Sequence, residues 1–364
     1  MPKILLCFQK NIFLATTYKF NHLKIKYNIS ALIIALVFLF FKSEAQDIHF
    51  TQFYSQAQML NPAQTGYFEG DWRVAAIYRN QWRSIDKQPF TTIGVGADKP
   101  FRIYSDQINA GILLLNDQSG VVNLTSNRVY LSLSYLKKFG GHSLAFGIQP
   151  GYVFDFTDVN KYTYDEQFEL GSENVFNSDL PNGEDMGNNI NFFDINAGVL
   201  WAKQLTKAFK PEVGYTAMHL TNPYRSFKGV KDKSTRFGLR HVFHGGGSLT
   251  LGKKLRLKPN ILYMYQTKAT DMLLGTNVEI DLPSKSLKTV YVGTLFRYGW
   301  EKNYDASSWI LGIIYKNVNV GFSYDINISS LQEATNNRGA WEISLVYISP
   351  STKLNKIQIP CDRY

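Results

Sequence analysis

The sequence contains very little cysteine, and its main part has no long apolar run. Its 364 residues include only two cysteines, Cys7 and Cys361. Because Cys7 lies in a segment that we expect to be removed, the remaining chain has no internal disulfide available to it. After Ala45, no apolar stretch is long enough for a membrane-spanning helix, which needs roughly 18 residues or more. The sequence therefore predicts neither a disulfide scaffold nor a helical membrane protein.

Recognisable catalytic and metal-binding motifs are also missing. The sequence has no G-x-S-x-G nucleophile elbow and no spaced carboxylate pair that suggests a catalytic dyad. His241 and His244 are three residues apart, which on a strand directs them to opposite faces and away from a shared metal ion. We therefore predict a protein that is not an enzyme, with no catalytic residues, no cofactor and no metal site.

The first 45 residues have the character of a secretory signal peptide. Several lysines precede an apolar run from Ile29 to Phe41, and Ser43 and Ala45 supply the small residues that a signal peptidase needs. The run is too short to cross a hydrocarbon layer of about 30 Å, so a cleaved signal is favoured over an anchor helix. Cleavage lowers the formal net charge from +10 to about +5. The remaining Lys and Arg form no stripe, so we expect no nucleic-acid partner.

What the sequence does contain is a repeated alternation of apolar and polar residues. In a clear example near the end of the chain, the polar or glycine residues alternate with Val318, Val320, Phe322, Tyr324 and Ile326. A period of two is the signature of a β-strand. An apolar outside and a polar inside is the arrangement that lipid demands of a spanning strand. We therefore predict an all-β fold, a transmembrane β-barrel of the outer membrane.

The alternating segments predict about fourteen antiparallel strands, an even number as in single-chain bacterial barrels. They cover 72–79, 90–98, 107–116, 127–138, 143–154, 192–203, 209–219, 237–250, 255–265, 271–280, 289–297, 308–315, 318–325 and 340–348. The predicted barrel spans 71–348, and a C-terminal tail follows at 349–364.

The predicted connections and interior charges agree with a barrel. Links after even strands are short, whereas links after odd strands are longer, with a short exception at 266–270. The long acidic connection at 155–191 is interpreted as a solvated extracellular loop rather than a calcium site, because its acids lack regular spacing around a turning glycine. Charged residues on interior faces are expected to solvate the lumen or pair across it: Asp194, Glu279, Arg297 and Asp325.

The segment at 46–70 is too irregular for a spanning strand and too aromatic for a disordered tail. Two interpretations stay open. The segment enters the barrel as a plug that fills a polar lumen with glutamines and asparagine, or it covers the periplasmic rim. Asn61-Pro62 predicts a turn, because proline disfavours the helical conformation for the residue before it.

This segment and the chain end resemble a known family. The sequences at 47–54 (DIHFTQFY), 60–63 (LNPA) and 78–82 (YRNQW), together with 323–327 (SYDIN) and 339–345 (GAWEISL), are similar to the PorP/SprF family. The resemblance spans nearly the whole chain after the signal. It implies an outer-membrane protein of the type IX secretion system of Bacteroidota, which exports surface proteins and supports gliding motility in many of these bacteria.

The resemblance implies a non-catalytic role in secretion or surface attachment of cargo proteins such as adhesins. The implied partners are a secreted surface protein or its C-terminal domain, periplasmic ring or peptidoglycan-linked components, and outer-membrane lipid. The motif matches suggest partner-binding or plug residues at Phe50, Gln52, Asn61, Pro62, Arg79, Gln81 and Trp82. The alternative function is a solute-conducting channel of the long-chain fatty-acid transporter type, which also has about fourteen strands and an inserted N-terminus.

Overall fold

The computed structural model of the chain describes most of the residues between 47 and 352. The stretches outside the description are 84–87, 104–105, 121–123, 160–161, 163–166, 170–174, 178–179, 181–186, 268, 300–303 and 330–331. The predicted signal peptide at 1–45, most of the acidic loop and most of the C-terminal tail lie outside the described residues. No helix in the described ranges is long and apolar enough to cross a membrane.

The described residues form sixteen β-strands, and fourteen of them make one closed barrel. The strand bounds are β1 Arg73–Gln81, β2 Phe90–Ile103, β3 Asp106–Ser119, β4 Leu124–Phe139, β5 His142–Phe156, β6 Phe168–Glu169, β7 Val175–Phe176, β8 Asn189–Lys203, β9 Phe209–Met218, β10 Arg240–Leu251, β11 Leu255–Gln266, β12 Ala269–Asp281, β13 Leu287–Gly299, β14 Tyr304–Tyr315, β15 Val318–Asn327 and β16 Arg338–Ile348. Consecutive barrel strands are antiparallel, and β1 pairs with β16. β6 and β7 form a separate hairpin between β5 and β8. The predicted fold and strand number are confirmed.

Alternation along each strand separates an apolar outer surface from a polar interior. On β4, Val129, Leu131 and Leu133 are 38–57% exposed, whereas the intervening Ser132 and Ser134 are at most 5% exposed. Lipid contains no hydrogen-bond partners, so closure of the sheet satisfies the backbone of every strand while apolar side chains cover its outside.

Most strands extend beyond their predicted bounds at one end or both, and β10 starts three residues later than predicted. β8 begins at Asn189 because this residue still pairs with Phe156 of β5, so the ladder continues past the apolar pattern. The predicted start of the eighth barrel strand at Phe237 is wrong. Phe237 lies in the loop before β10, where its N–H donates to the carbonyl of Pro223 and its ring contacts His219. Ladder partners, which the sequence does not reveal, decide these ends.

The two ends of the barrel differ in their connections. At one end, here called the turn end, six links of two to five residues join strands, and both the start of β1 and the end of β16 lie there. At the opposite end, here called the loop end, the connections include the long ones at 157–188 and 219–239, with a two-residue exception after β11. Bacterial barrels place short turns in the periplasm.

The residues before β1 run through the interior of the barrel from one end to the other. We call residues 47–66 the inner segment. It begins at the loop end, where Asp47 contacts Arg128 near the start of β4, and it reaches the turn end, where the N–H of Gly66 donates to Asp98 of β2 at 2.6 Å. The inner segment contains the short helical turns Phe53–Ser55, Ala57–Leu60 and Pro62–Gln64. Further single turns, Lys233–Thr235 and Gln332–Thr335, lie in loops at the loop end.

Candidate functional site: the inner segment and the wall around it

A buried carboxylate on β16 holds the start of the inner segment. Glu342 accepts hydrogen bonds from the backbone N–H groups of Thr51 and Gln52 at 2.7 and 2.8 Å, and from the guanidinium of Arg79 at 2.5 Å. Its side chain is fully buried. Backbone donors buried in a turn need acceptors, and a charged acceptor makes the stronger bond. Glu342 therefore fixes the position of the segment relative to β1 and β16.

A second carboxylate extends this site along the barrel wall to β13. Asp325 on β15 lies 3.2 Å from Arg79 and 3.4 Å from Arg297, and the hydroxyl of Thr51 donates to it at 3.0 Å. All four side chains are nearly inaccessible to solvent. The two guanidinium groups, with the two carboxylates Asp325 and Glu342, give no net charge, which is the condition under which buried charges are tolerated. Breaking any one partner leaves an unpaired charge inside the barrel.

A second charged cluster surrounds Asp47 at the loop end. Asp47 lies 2.7 Å from Arg128, 3.0 Å from Arg240 and 3.1 Å from His219, whose second ring nitrogen contacts Asp194 at 2.7 Å. Burial alone raises the pKa of Asp47, but the Arg128 charge and the His219 hydrogen bond outweigh it, and the pKa lies well below its ordinary value. Asp47 is therefore a carboxylate held by two arginines.

His219 is the bridge of this cluster. Burial alone lowers the pKa of His219, but hydrogen bonds to Asp194 and Asp47 outweigh that effect, so the net pKa lies above its ordinary value. Both ring nitrogens then donate, one to the barrel wall and one to the inner segment. A protonated imidazole thus links the segment to β8.

Asn61 and Pro62 pack closely against the barrel wall at two glycine positions. The Asn61 amide donates to the carbonyl of Val199 at 2.9 Å, and its oxygen accepts the N–H of Ala63 at 2.9 Å, which caps the turn that Pro62 begins. A methyl group added at Gly147 would overlap the Pro62 backbone, and one added at Gly198 would overlap the Asn61 side chain. Both glycines permit this close approach, because any larger residue would displace the segment.

The opposite side of the segment packs against an apolar wall. Phe53 and Leu60 belong to a buried cluster contributed by strands β9 to β14: Met218, Val242, Leu262, Met264, Leu273, Tyr291, Leu295 and Ile310. These contacts exclude water but have no directional requirement. The lumen is therefore lined differently on its two sides, and the segment matches each side.

The structure brings five of the seven sequence-predicted site residues together around the inner segment. These residues are buried against their own barrel: Phe50, Gln52, Asn61, Pro62 and Arg79. Gln81 joins them indirectly, because its side-chain oxygen accepts from Arg79 at 3.2 Å. Trp82 stands apart beyond the end of β1, with its ring edge on Phe90 at 4.9 Å between ring centroids. A role of any of these residues in binding a partner stays a prediction.

Sequence reasoning missed several residues of the site. Asp194, Arg297 and Asp325 were expected in the lumen, and the structure places them there. The others were not singled out: Asp47, Arg128, His219, Arg240 and Glu342. Arg128 and Glu342 could have been found from the sequence, because each is a charged residue on the interior face of a predicted strand. Nothing in the sequence indicates that His219, in a loop, meets Asp47.

Metal ligands do not gather in the part of the chain that the structure describes. No group of three His, Cys, Asp or Glu side chains there is placed to hold a metal ion. His241 and His244 lie on opposite faces, as predicted. His244 is buried against the Asn61 amide at 3.0 Å, and His241 faces outward, where it hydrogen-bonds to Tyr215 at 2.8 Å.

Comparisons with known proteins bear on the whole barrel. No curated protein matches the chain. Among solved structures, the CymD monoaromatic hydrocarbon channel is 9% identical and aligns over 82% of this chain and 94% of its own, with a TM-score of 0.49. A Pseudomonas aeruginosa FadL homologue is 8% identical over 80% of this chain and 93% of its own, with a TM-score of 0.44. Similarity this weak says nothing about what the chain binds or transports.

A family model gives the identification. The model described as type IX secretion system membrane protein PorP/SprF matches residues 42–347, which include the inner segment and all but the last residue of the barrel. The match and the closed barrel together indicate an outer-membrane component of that system. The chain therefore belongs to the PorP/SprF family of type IX secretion system membrane proteins.

Proposed function

We propose that this protein supports the secretion or surface attachment of cargo proteins such as adhesins by binding other proteins, without catalysis. In this proposal the barrel is a closed scaffold, exported through a cleaved signal peptide at 1–45. Its partners are a secreted surface protein or its C-terminal domain and periplasmic ring or peptidoglycan-linked components. Outer-membrane lipid surrounds it, and gliding motility depends on it in hosts that glide.

The observation that carries the proposal is the way the lumen is filled. The inner segment contacts the wall through two buried charged clusters and an apolar cluster, and these contacts reach strands on all sides. A path for solutes would need these contacts to break, and each buried ion pair costs several kcal/mol to disrupt, about 3 to 5. The described residues thus favour a scaffold over the alternative, a solute-conducting channel.

Conductance separates these two functions. The purified full chain in planar bilayers is expected to show no steady pore. A second protein, with Cys361→Ser, Ser55→Cys and Ser344→Cys, tests the filled state directly, because the two serine hydroxyls lie 3.4 Å apart and a disulfide would tie the segment to β16. Steady conductance of the wild type that oxidation of this variant abolishes would favour the channel.

Export in the native host tests the role itself. Deletion of the gene is expected to remove one or a few specific proteins from the cell surface. The oxidised Ser55→Cys/Ser344→Cys protein is expected to restore them, because a scaffold works with its lumen filled. An unaltered surface proteome after deletion would contradict the proposed function. Failure of the tethered protein alone would instead mean that the segment has to leave the barrel.

A further inference from the structure

The turn end of the barrel has a large excess of exposed positive charge. We call its exposed cations the turn rim. They are Lys99, Arg102, Lys138, Lys207, Lys210, Lys253, Lys254, Lys285, Lys288 and Lys316. Each of the six tight turns has at least one of them in the turn or within five residues of it. The positive charge therefore surrounds the mouth instead of forming a patch on one side.

Few acidic residues balance these cations: Asp71 lies near Arg102 and Lys99, and Glu212 lies near Lys210. Some other basic residues near the same end are paired, for example Lys137 with Asp106, and Arg256 with Asp281 at 2.6 Å. None of the ten turn-rim cations forms an ion pair with a residue that the structure describes. Within the described ranges, the acids accessible to solvent at this end include Glu69, Asp71 and Asp281, and they are fewer than the ten cations. The rim therefore carries an excess of positive charge.

The directions of the side chains distinguish lipid from an aqueous partner. Lys99 and Lys288 lie on the outward face of their strands together with apolar residues, and both can reach lipid headgroups. Three others are on interior-facing positions, which lipid cannot contact. Arg102 donates to the carbonyl of Gly70 at 3.3 Å, Lys210 lies 5.2 Å from the ring centre of Tyr67, and Lys138 follows the buried Leu136 on the interior face. The remaining cations are in the turns themselves.

The size of the mouth indicates what kind of anion fits. Fourteen strands spaced about 4.8 Å apart and tilted by about 40° enclose a cylinder about 28 Å in diameter at the backbone. A small anion would contact one turn of such a ring. A folded domain of about 100 residues, with a radius of gyration near 13 Å, has the width to contact several turns at once.

We propose that the turn rim is a docking surface for the acidic face of a periplasmic protein. The proposal rests on the proposed function, which makes protein binding the task of the barrel, and on the periplasmic position of short turns. Complementary charge speeds encounter and fixes orientation, and the interaction weakens with added salt. The partner is therefore recognised by clustered Asp and Glu on a folded surface.

Photo-crosslinking in the native outer membrane tests the docking. The full-length protein carries p-benzoylphenylalanine in place of Lys253, and a second version carries it in place of the exposed loop-end residue Lys231. A discrete protein adduct is expected from the turn position only. The crosslinked peptide is expected in an Asp- and Glu-rich surface of a folded protein. Replacing the acids of that surface by amides is expected to remove the adduct.

Substitutions that remove positive charge at either end of the barrel test whether the turn rim is needed for the adduct. Lys207→Gln, Lys210→Gln, Lys285→Gln and Lys316→Gln together are expected to reduce the Lys253 adduct about tenfold or more, because several rim charges act jointly. The control carries the same number of changes at the loop end, Lys228→Gln, Lys231→Gln, Lys233→Gln and Arg236→Gln, and is expected to retain the adduct. Heat-modifiable migration in gels verifies that both variants are folded.

Several results would overturn the docking proposal. They are the absence of a discrete adduct, crosslinks to lipid alone, a partner surface without acidic residues, or an adduct that survives the four rim substitutions. The gene deletion tests the proposed function separately from the docking. If deletion of the gene still removes specific surface proteins while no turn-end adduct forms, the secretion role stands and the docking surface is wrong.

Discussion

The two sides of the lumen hold the inner segment in different ways. Along β15, β16 and β1, the contacts are hydrogen bonds and ion pairs of defined geometry, centred on Glu342 and Asp325. Along β9 to β14, a cluster of aliphatic and aromatic side chains surrounds Phe53 and Leu60, while Arg297 of β13 also donates to Thr51 at 2.9 Å. Directional contacts specify a position, whereas apolar contacts favour burial in any position that fits. We infer that the polar side sets the register of the segment and the apolar side adds stability.

The largest effect is expected from Glu342→Ala on the polar side. The substitution leaves the N–H groups of Thr51 and Gln52 and the charge of Arg79 without their acceptor, and breaking a buried pair costs about 3 to 5 kcal/mol. The segment is expected to lose its position, which urea titration and bilayer conductance would detect together. Glu333→Ala, at an exposed carboxylate in a loop, is the control. Unchanged conductance and stability would refute the assignment of register to Glu342.

Leu60→Ala tests the apolar side with a comparable loss of stability. Truncating a buried leucine costs about 2 to 4 kcal/mol through lost burial and a new cavity. Because no directional contact is removed, the segment is expected to keep its place, and conductance is expected to stay absent. The expected result is therefore a lower urea midpoint of unfolding, without conductance in planar bilayers. Pore opening by this variant would remove the distinction between the two sides.

Gly147→Ala tests the close contact beside Pro62. The added methyl group overlaps the Pro62 backbone, so the segment has to shift, at a cost of about 1 to 3 kcal/mol. Increased protease cleavage of the segment in detergent is the measurement. Gly245→Ala is the matched control, because Gly245 is on the outward face of β10 and its nearest neighbour is the Ile261 side chain at 3.1 Å. Equal protease sensitivity of the two variants would argue against a tight fit at Gly147.

The smallest effect is expected from pH at the loop end. The pKa of His219 is raised by Asp194 and Asp47, so its stabilising contribution is fully present below the ordinary pKa and is lost as the pH rises through the raised value. The urea midpoint is expected to be lower at pH 9 than at pH 6. His219→Gln removes the titrating group, and the difference between the two pH values is expected to shrink. A slope that persists in this variant would assign it to other groups.

Prediction from sequence succeeded where the apolar–polar alternation within a single strand was enough to identify that strand. The alternation at 318–326 is visible without any neighbour, and β15 lies there with Phe322 and Tyr324 exposed. It failed at Phe237, where an aromatic residue extends the pattern but packs on His219 in a loop. For the site, the motif near Gln52 and Asn61 was visible, while its partners were not, because Glu342 is 290 residues away from Gln52 along the chain.

The sequence by itself determined that this chain forms many two-faced strands, because lipid outside and polar groups inside impose a period of two on each strand separately. It also carried the motifs of the inner segment. Only the tertiary structure decided how that segment is held, because closure of the barrel brings β16 beside β1 and places Arg79, Asp325 and Glu342 around Thr51. Contacts between distant parts of a chain depend on the register of all strands between them, and no local pattern encodes that register.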